Sequence, residues 1–265
     1  MRVRNIWIGM LALALAASIT ACGSKKDDLD SDAGGATAAT GGGPKVDAAT
    51  AGNIEGVVSF EGAAPKNEPI KMNADPVCVK ANPTAQTQET YEVADGKLAN
   101  VFVYVKAGLG NFSYDAPAGG VTIDQQGCRY HPHVFGIRVG QELTIQNSDP
   151  TLHNIHALPK GNAEFNTGQP IQGMKTMHTF TAKEIMVPFK CDVHGWMNAF
   201  IGVVDNPYFQ VTGADGKFSL KGLPPGTYTL EAWHEKAGVQ TAQVTIGAKE
   251  TKQAAFTFKA AAATD

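Results

Sequence analysis

Cys191-Asp192-Val193-His194-Gly195-Trp196-Met197 sets a thiol, an imidazole and a thioether at three-residue steps within one tight loop. Soft sulfur together with imidazole nitrogen is the donor set that copper prefers. A weak thioether beside a Cys and two His marks an electron-transfer copper site. The loop supplies three of those donors, so the second imidazole has to come from elsewhere in the chain. His153 is the candidate, in Asn147-Ser148-Asp149-Pro150-Thr151-Leu152-His153-Asn154-Ile155-His156, 38 positions upstream of Cys191.

Both stretches follow strand-like alternation. In Ile185-Met186-Val187-Pro188-Phe189 the Ile, Val and Phe fall on one side of a half-buried strand, and Glu142-Leu143-Thr144-Ile145-Gln146 groups Leu and Ile in the same way. Two strand ends then present ligands at one pole of a β-sandwich.

The order of these residues resembles the cupredoxins, the blue copper proteins: a strand, Asn-x-Asp, three residues, His-Asn-x-His, then Cys-x2-His-x2-Met. The short ligand loop is most similar to that of amicyanin. The likeness is closest between His133 and Val204. It implies one type 1 copper per chain, with the Cys191 thiolate, His153 and His194 in a trigonal plane and Met197 as the long axial contact. It also implies that Asn154 tethers the two ligand loops by hydrogen bonding. His194 would lie near the surface as the electron port, within an apolar docking patch. Trp196 and Phe200 bracket the loop and are expected to shield the metal from water.

The N-terminus reads as targeting sequence. Arg2 and Arg4 precede the short apolar run Ile6 to Leu15, too short to span a membrane stably. Ile19-Thr20-Ala21-Cys22 resembles the lipobox of bacterial lipoproteins, which makes Cys22 the expected lipid attachment site and places the protein in the cell envelope. Cleavage near Ala21 by an ordinary secretory route is the alternative. Removing residues 1–21 deletes two Arg and no acid, and the formal charge of −3 becomes −5. A mildly acidic chain without a basic run is a poor match for nucleic acid.

Four cysteines are present. With Cys22 acylated and Cys191 on a metal, Cys78 and Cys128 are left free to pair in an oxidising compartment. Each sits beside a turn signal, Asp75-Pro76 and Gly127. Two buried free thiols are the alternative, and the sequence does not fix the connectivity.

Residues 22–52 form a Gly/Ala/Thr/Asp-rich tract expected to act as a flexible tether; its reach would be roughly 30 Å. Folded structure is expected from Asn53. Ile54 to Phe60 reads as a strand, 63–95 as an irregular connection pinned by Cys78, and Asn100 to Val105 as a strand apolar on both faces. Short strands with Gly and Pro turns, and no amphipathic helix, indicate an all-β fold. A Greek-key, cupredoxin-like sandwich is expected over 53–205. Asp205-Asn206-Pro207 reads as a boundary. The run from Asp215 to Leu230, with Asp-Gly-Lys-Phe-Ser-Leu and Leu-Pro-Pro-Gly-Thr-Tyr, resembles the carboxypeptidase regulatory-like (transthyretin-like) module. A second, smaller sandwich is therefore expected over 206–260.

The remaining candidates are read as structural. His156 stays outside the ligand set that the resemblance implies. His131 and His133 flank Pro132 and could chelate a second metal, with only Cys128 as an evident partner. His178 and His234 are expected at the surface or between domains, and Met174, Met177 and Met186 in the core. A site with four protein ligands leaves no position for a substrate. The expected role is thus one-electron transfer with exported redox proteins, not catalysis. Copper sequestration or delivery through the same ligands, and a metal-free surface-binding module, are the alternatives.

Overall fold

The structure, a computed structural model, describes residues 42–260. The expected signal peptide, Cys22 and most of the tether lie outside those residues. In chain order the first strands are β1 (Gly52–Glu61), β2 (Pro69–Ile70), β3 (Gln86–Thr87), β4 (Val93–Ala94), β5 (Lys97–Leu98) and β6 (Phe102–Ala107), with a short helix α1 (Pro76–Ala81) between β2 and β3. Then come β7 (Val121–Gln126), β8 (Arg129–His131), β9 (Val134–Arg138), β10 (Glu142–Asn147) and β11 (His153–Ala157), followed by β12 (Phe165–Gln169), β13 (Lys175–Thr179), β14 (Glu184–Lys190) and β15 (Asn198–Val204). The last five are β16 (Phe209–Val211), β17 (Lys217–Leu223), β18 (Gly226–His234), β19 (Gly238–Ile246) and β20 (Thr251–Lys259). The all-β sandwich expectation is met.

The strands do not pair along the expected linear division. β1 lies between β17, antiparallel, and β20, parallel. β6 lies between β16 and β18, with β19 beyond. These two sheets enclose one core, including Ile54, Val58, Val103, Leu220, Leu230 and Phe256. Residues 206–260 therefore complete a sandwich that β1 and β6 begin, and the expected boundary at Asp205 and Asn206 marks only a return crossing. The turn signals around β1 show where it ends, but its partners are chosen by burial across a separation of up to 198 residues.

Strands β7 to β15 form an inserted second sandwich. Its sheets are β13-β10-β7-β8 and β12-β11-β14-β15-β9. Parallel pairs β7/β10 and β9/β15 sit inside them, around Ile123, Ile137, Leu143, Phe189 and Ile201.

The alternate faces of β6 join the two sandwiches. Val103 and Val105 point into the first core, while Phe102 and Tyr104 enter a separate apolar layer with Val134, Met186 and Val204. Gly136 and Gly202 are register partners on β9 and β15. A Cβ on either would collide with the rings of Phe209 or Phe102, so the two glycines form a flat seat for those aromatics. Phe200 packs here on Trp233, with ring centroids 5.1 Å apart. Its expected role beside the ligand loop is thus corrected. Met186 (φ 60°) sits at a register shift in β14. The shift breaks the expected alternation: Ile185 and Met186 face the layer between the sandwiches, whereas Val187 and Phe189 face the second core.

Order begins before Asn53. The Ser113 N–H donates to the Pro44 carbonyl, and Lys45 pairs with Asp115 at 2.6 Å, so the last part of the expected tether is docked. The sandwiches are also bridged by His133, whose Nε2 lies 2.6 Å from Glu235. Burial pulls the His133 pKa down, but the Glu235 carboxylate pushes it further up, and the net shift is upward.

Two predictions follow from this architecture. A chain ending at Val204 leaves β1 and β6 without β16 to β20. It is expected to show no cooperative transition for the β1/β6 core, measured by urea unfolding and size-exclusion chromatography. A monomeric fragment as stable as the full chain would refute the insertion. For His133, a raised folded pKa contributes stability that is fully present below the unfolded value of about 6.5 and is lost as pH rises through the folded value. His133→Gln should therefore cost more stability at about pH 5.5 than at about pH 8.5. An equal loss at both pH values would exclude the ion pair.

Candidate metal centre

Three sequence-predicted donors meet. His153, Cys191 and His194 each place a ligand atom within 4.8 Å of the others. His153 opens β11, and the other two sit in the turn between β14 and β15. That turn is closed by the Met197 N–H donating to the His194 carbonyl at 2.9 Å and by Cys191 N–H donating to the Met197 carbonyl at 3.2 Å. All three donor side chains are buried: His153 is 0%, Cys191 2% and His194 3% exposed. Met197 is buried in the same apolar cluster as Cys191.

The two imidazoles face each other through Nδ1, 2.9 Å apart. On the far side of each ring, Nε2 meets a carboxylate: His153 with Asp149 and His194 with Asp75, both at 2.9 Å. A neutral imidazole has one N–H and one lone pair. With Nε2–H donated to the carboxylates, both Nδ1 lone pairs point at one spot beside a thiol. Only a shared proton or a cation reconciles them. Two imidazoles, one sulfur and a closed shell of carboxylates fit a soft or borderline metal ion.

The thiol is prepared for the same role. Burial pushes its pKa up. The His153 hydrogen bond and the amides of Asn154, His194 and Val193 push it down by more, so it lies below the ordinary thiol value. The His194 amide donates to Cys191 Sγ at 3.3 Å. Burial lowers the pKa of His194, with Asp75 opposing. His153 is raised: burial acts downward, and Asp149 and Cys191 prevail.

Asn154 links the ligand-bearing segments, as its Oδ1 accepts the Asp192 N–H at 2.6 Å. Its Nδ2 donates to Asn166 Oδ1, also at 2.6 Å. Trp196 lies against His194, 5.0 Å between centroids, and donates Nε1–H to the Cys128 carbonyl at 2.9 Å.

Cys78 and Cys128 form a disulfide, and it changes the expected picture of the site. Its cover includes α1, an element that the irregular connection expected over 63–95 did not foresee. Asp75 is the N-cap of α1, with Oδ1 accepting the Val77 and Cys78 amides and Pro76 in the first turn. Cys78 Sγ lies 3.7 Å from His194 Nε2. The expected exposed electron port at His194 is thus overturned, because α1, the disulfide and Trp196 cover its ring. Asp75-Pro76 was a readable cap signal. Its contact with His194, 119 positions away, was not.

The other histidines separate from the centre. His156, three positions beyond His153 on β11, points to the opposite face and pairs with Asp192 at 2.9 Å and Glu164 at 2.7 Å. His131 meets the Gln126 carbonyl at 3.2 Å, whereas His133 turns to Glu235. Among the described residues the His131/His133 pair belongs to no metal-binding cluster. His234 is 1% exposed, between Tyr91 and Phe258, which corrects its expected place at the surface or between domains; burial lowers its pKa to about 4. His178 stacks on Phe165 at 3.9 Å. Met186 is buried as expected, but Met177 is 66% exposed and does not belong to the core.

A family model described as polysaccharide lyase family 4, domain II, matches residues 179–254, a minority of the chain. No curated protein matches the sequence. Among solved structures, a copper-containing nitrite reductase from Thermus scotoductus SA-01 is 22% identical with a TM-score of 0.31, over 39% of this chain and 25% of its own. The chain thus spans a quarter of that enzyme's length. A Cu(I) mutant form of amicyanin is 20% identical with a TM-score of 0.29, over 34% of this chain and 86% of its own. A purple cupredoxin from Nitrosopumilus maritimus is 22% identical with a TM-score of 0.28, over 31% and 98%. Likenesses this partial do not assign a family.

Asp149 is the most heavily used buried acid here. It accepts the Gly127 and Cys128 amides at 2.8 and 2.7 Å as well as His153. Asp149→Ala strands all three donors and is expected to cost about 3 kcal/mol in denaturant unfolding. A loss below about 1 kcal/mol would mean that water replaces the carboxylate.

Proposed function

We propose that this protein is a one-electron carrier that holds a single copper ion with His153, Cys191 and His194, with Met197 as the weak fourth donor. The supporting observation is the pair of inward Nδ1 atoms beside a buried thiol. The Cys-x2-His-x2-Met spacing and the His-Asn-x-His stretch add the sequence resemblance to cupredoxins. Bound copper would supply the Cu(II)/Cu(I) couple.

The protein's own part is rigidity and exclusion of water. Asp149 and Asp75 fix the orientation of both rings, Asn154 ties the loop to β11, and Trp196 and the disulfide keep solvent away. Donors that move little between oxidation states keep the reorganisation cost of electron transfer low. With His194 covered, the docking surface is assigned to Leu152 and Val193, exposed on the two ligand-bearing loops. Such redox encounters are small and transient. The proposal extends to lipid attachment at Cys22 and to exported redox proteins as partners, and it includes no catalytic role. These rest on the sequence around Cys22 and on a donor set with no position left for a substrate.

Metal-free protein given Cu(II) is expected to take up one copper per chain and to gain an intense visible charge-transfer band. Cys191→Ser should abolish the band while the far-ultraviolet circular dichroism stays unchanged. Failure to take up copper, or a band that survives the substitution, would end this reading.

A further inference from the structure

Each half-cystine is tied to one candidate ligand histidine through a carboxylate. On one side, the Cys78 amide donates to Asp75 Oδ1 at 3.4 Å, and Asp75 Oδ2 meets His194 Nε2 at 2.9 Å. Thr151, two residues before His153, also donates to Asp75 Oδ2 at 3.0 Å. On the other side, the Cys128 amide donates to Asp149 Oδ2 at 2.7 Å, and the same oxygen meets His153 Nε2 at 2.9 Å. The disulfide joins the two arms, so the carboxylate bridges and the covalent bond close a ring around both imidazoles.

The two half-cystines come from different parts of the fold. Cys78 is on α1, in the connection from β1 to β6. Cys128 is in the two-residue turn of the β7/β8 hairpin, where Gly127 and Cys128 both have positive φ, 61° and 56°. Such a turn asks for φ > 0 at both central residues. A non-glycine residue there needs support, which Asp149 gives by accepting both turn amides. Asn82 adds a further link from α1, donating Nδ2–H to the Gly127 carbonyl at 3.0 Å.

We propose that Asp75 and Asp149 are positioning residues, which hold Nε2–H on both histidines and so aim both Nδ1 atoms at the centre, and that the Cys78–Cys128 disulfide keeps the two carboxylates in place. This deepens the copper reading and rests on it for the identity of the ion. The orientation of the rings does not depend on it. Outer partners of ligand imidazoles fix the tautomer and ring plane, and their loss typically weakens metal binding 10–100-fold.

Asp75→Ser separates positioning from helix capping. Serine is an equivalent N-cap, but its hydroxyl replaces only one of the two carboxylate oxygens and is too short to reach His194. Asp75→Asn has a single carbonyl oxygen, and committing it to the cap turns the NH2 toward His194 Nε2, so it keeps the cap and the shape but cannot accept Nε2–H. In copper-loaded protein challenged with a chelator, Asp75→Ser is expected to release copper about tenfold faster than wild type and to shift the visible band. Asp75→Asn, capped but with a donor facing Nε2, should lose copper as Asp75→Ser does. A Cys78→Ala/Cys128→Ala double variant should likewise release copper faster. Release and band unchanged in Asp75→Ser would overturn the positioning role, and release unchanged in the double variant would overturn the part assigned to the disulfide.

A copper-independent arm separates this idea from the redox reading. Imidazole 15N spectra of metal-free wild type should show Nε2 protonated on His153 and His194, with the His194 pattern altered in Asp75→Ser. An unprotonated Nε2 on either ring in wild type would refute the positioning role even if copper binds, whereas a proton shared between the two Nδ1 atoms would not. The expected tautomers without copper uptake would leave the positioning intact and remove the electron-carrier proposal.

Discussion

Two lone pairs directed at one point, beside a buried sulfur, are the constraint around which the surrounding structure is arranged. An imidazole left to itself would rotate so that each nitrogen finds a suitable neighbour. Here neither ring rotates away, because Asp149 and Asp75 hold the outer nitrogens. Burial makes the Asp149 carboxylate costly unless it is fully bonded, and it takes two turn amides as well as His153; Asp75, partly exposed, takes the first amides of α1. The result is a cluster whose charges balance best when a cation sits at its centre.

The fold delivers these groups from four separate segments. β11 and the loop before it bring His153 and Asp149, the β14/β15 turn brings Cys191 and His194, the β7/β8 hairpin brings Cys128, and α1 with its N-cap brings Cys78 and Asp75. The first three belong to the inserted sandwich. The fourth belongs to the connection between β1 and β6, which are strands of the other sandwich. The outer sandwich is thereby more than an appendage. Through that connection it supplies the cover and one of the two carboxylates.

Much of the centre was legible in the sequence because its signal is local. Cys191, His194 and Met197 are spaced along one turn, and His153 follows a clearly alternating strand. Periodicity and turn residues placed strands at β1, β6, β7, β9, β10, β14 and β16 to β20, but not the two-residue strands β2 to β5, nor β8, β11, β12, β13 and β15. The long-range choices were hidden. Nothing near Ile54 says that its neighbours will be Leu220 on one side and Lys252 on the other. The bulge at Met186 depends on the layer it packs against. Burial of His194 depends on Asp75, whose Asp-Pro pair reads as a helix start but not as a histidine's partner. The resemblance to cupredoxins suggested an exposed ring there, and the departure comes from the connecting segment, which carries no cupredoxin-like signal.

The parallel pairing of β1 with β20 bears on how the molecule is made. β1 is the first strand in the described chain and β20 the last, and Asn53 and Thr251 sit side by side. Contacts of such sequence separation form slowly, since the loop must close before they are rewarded. The inserted sandwich has all its strands within 121–204 and can assemble while the C-terminal segment is still being synthesised. β1 must wait, with Ile54, Val58 and Phe60 uncovered, for β17 and then for the final strand. Until then its β20 edge stays open beside an apolar face, the kind of segment that chaperones shield and that neighbouring chains can capture.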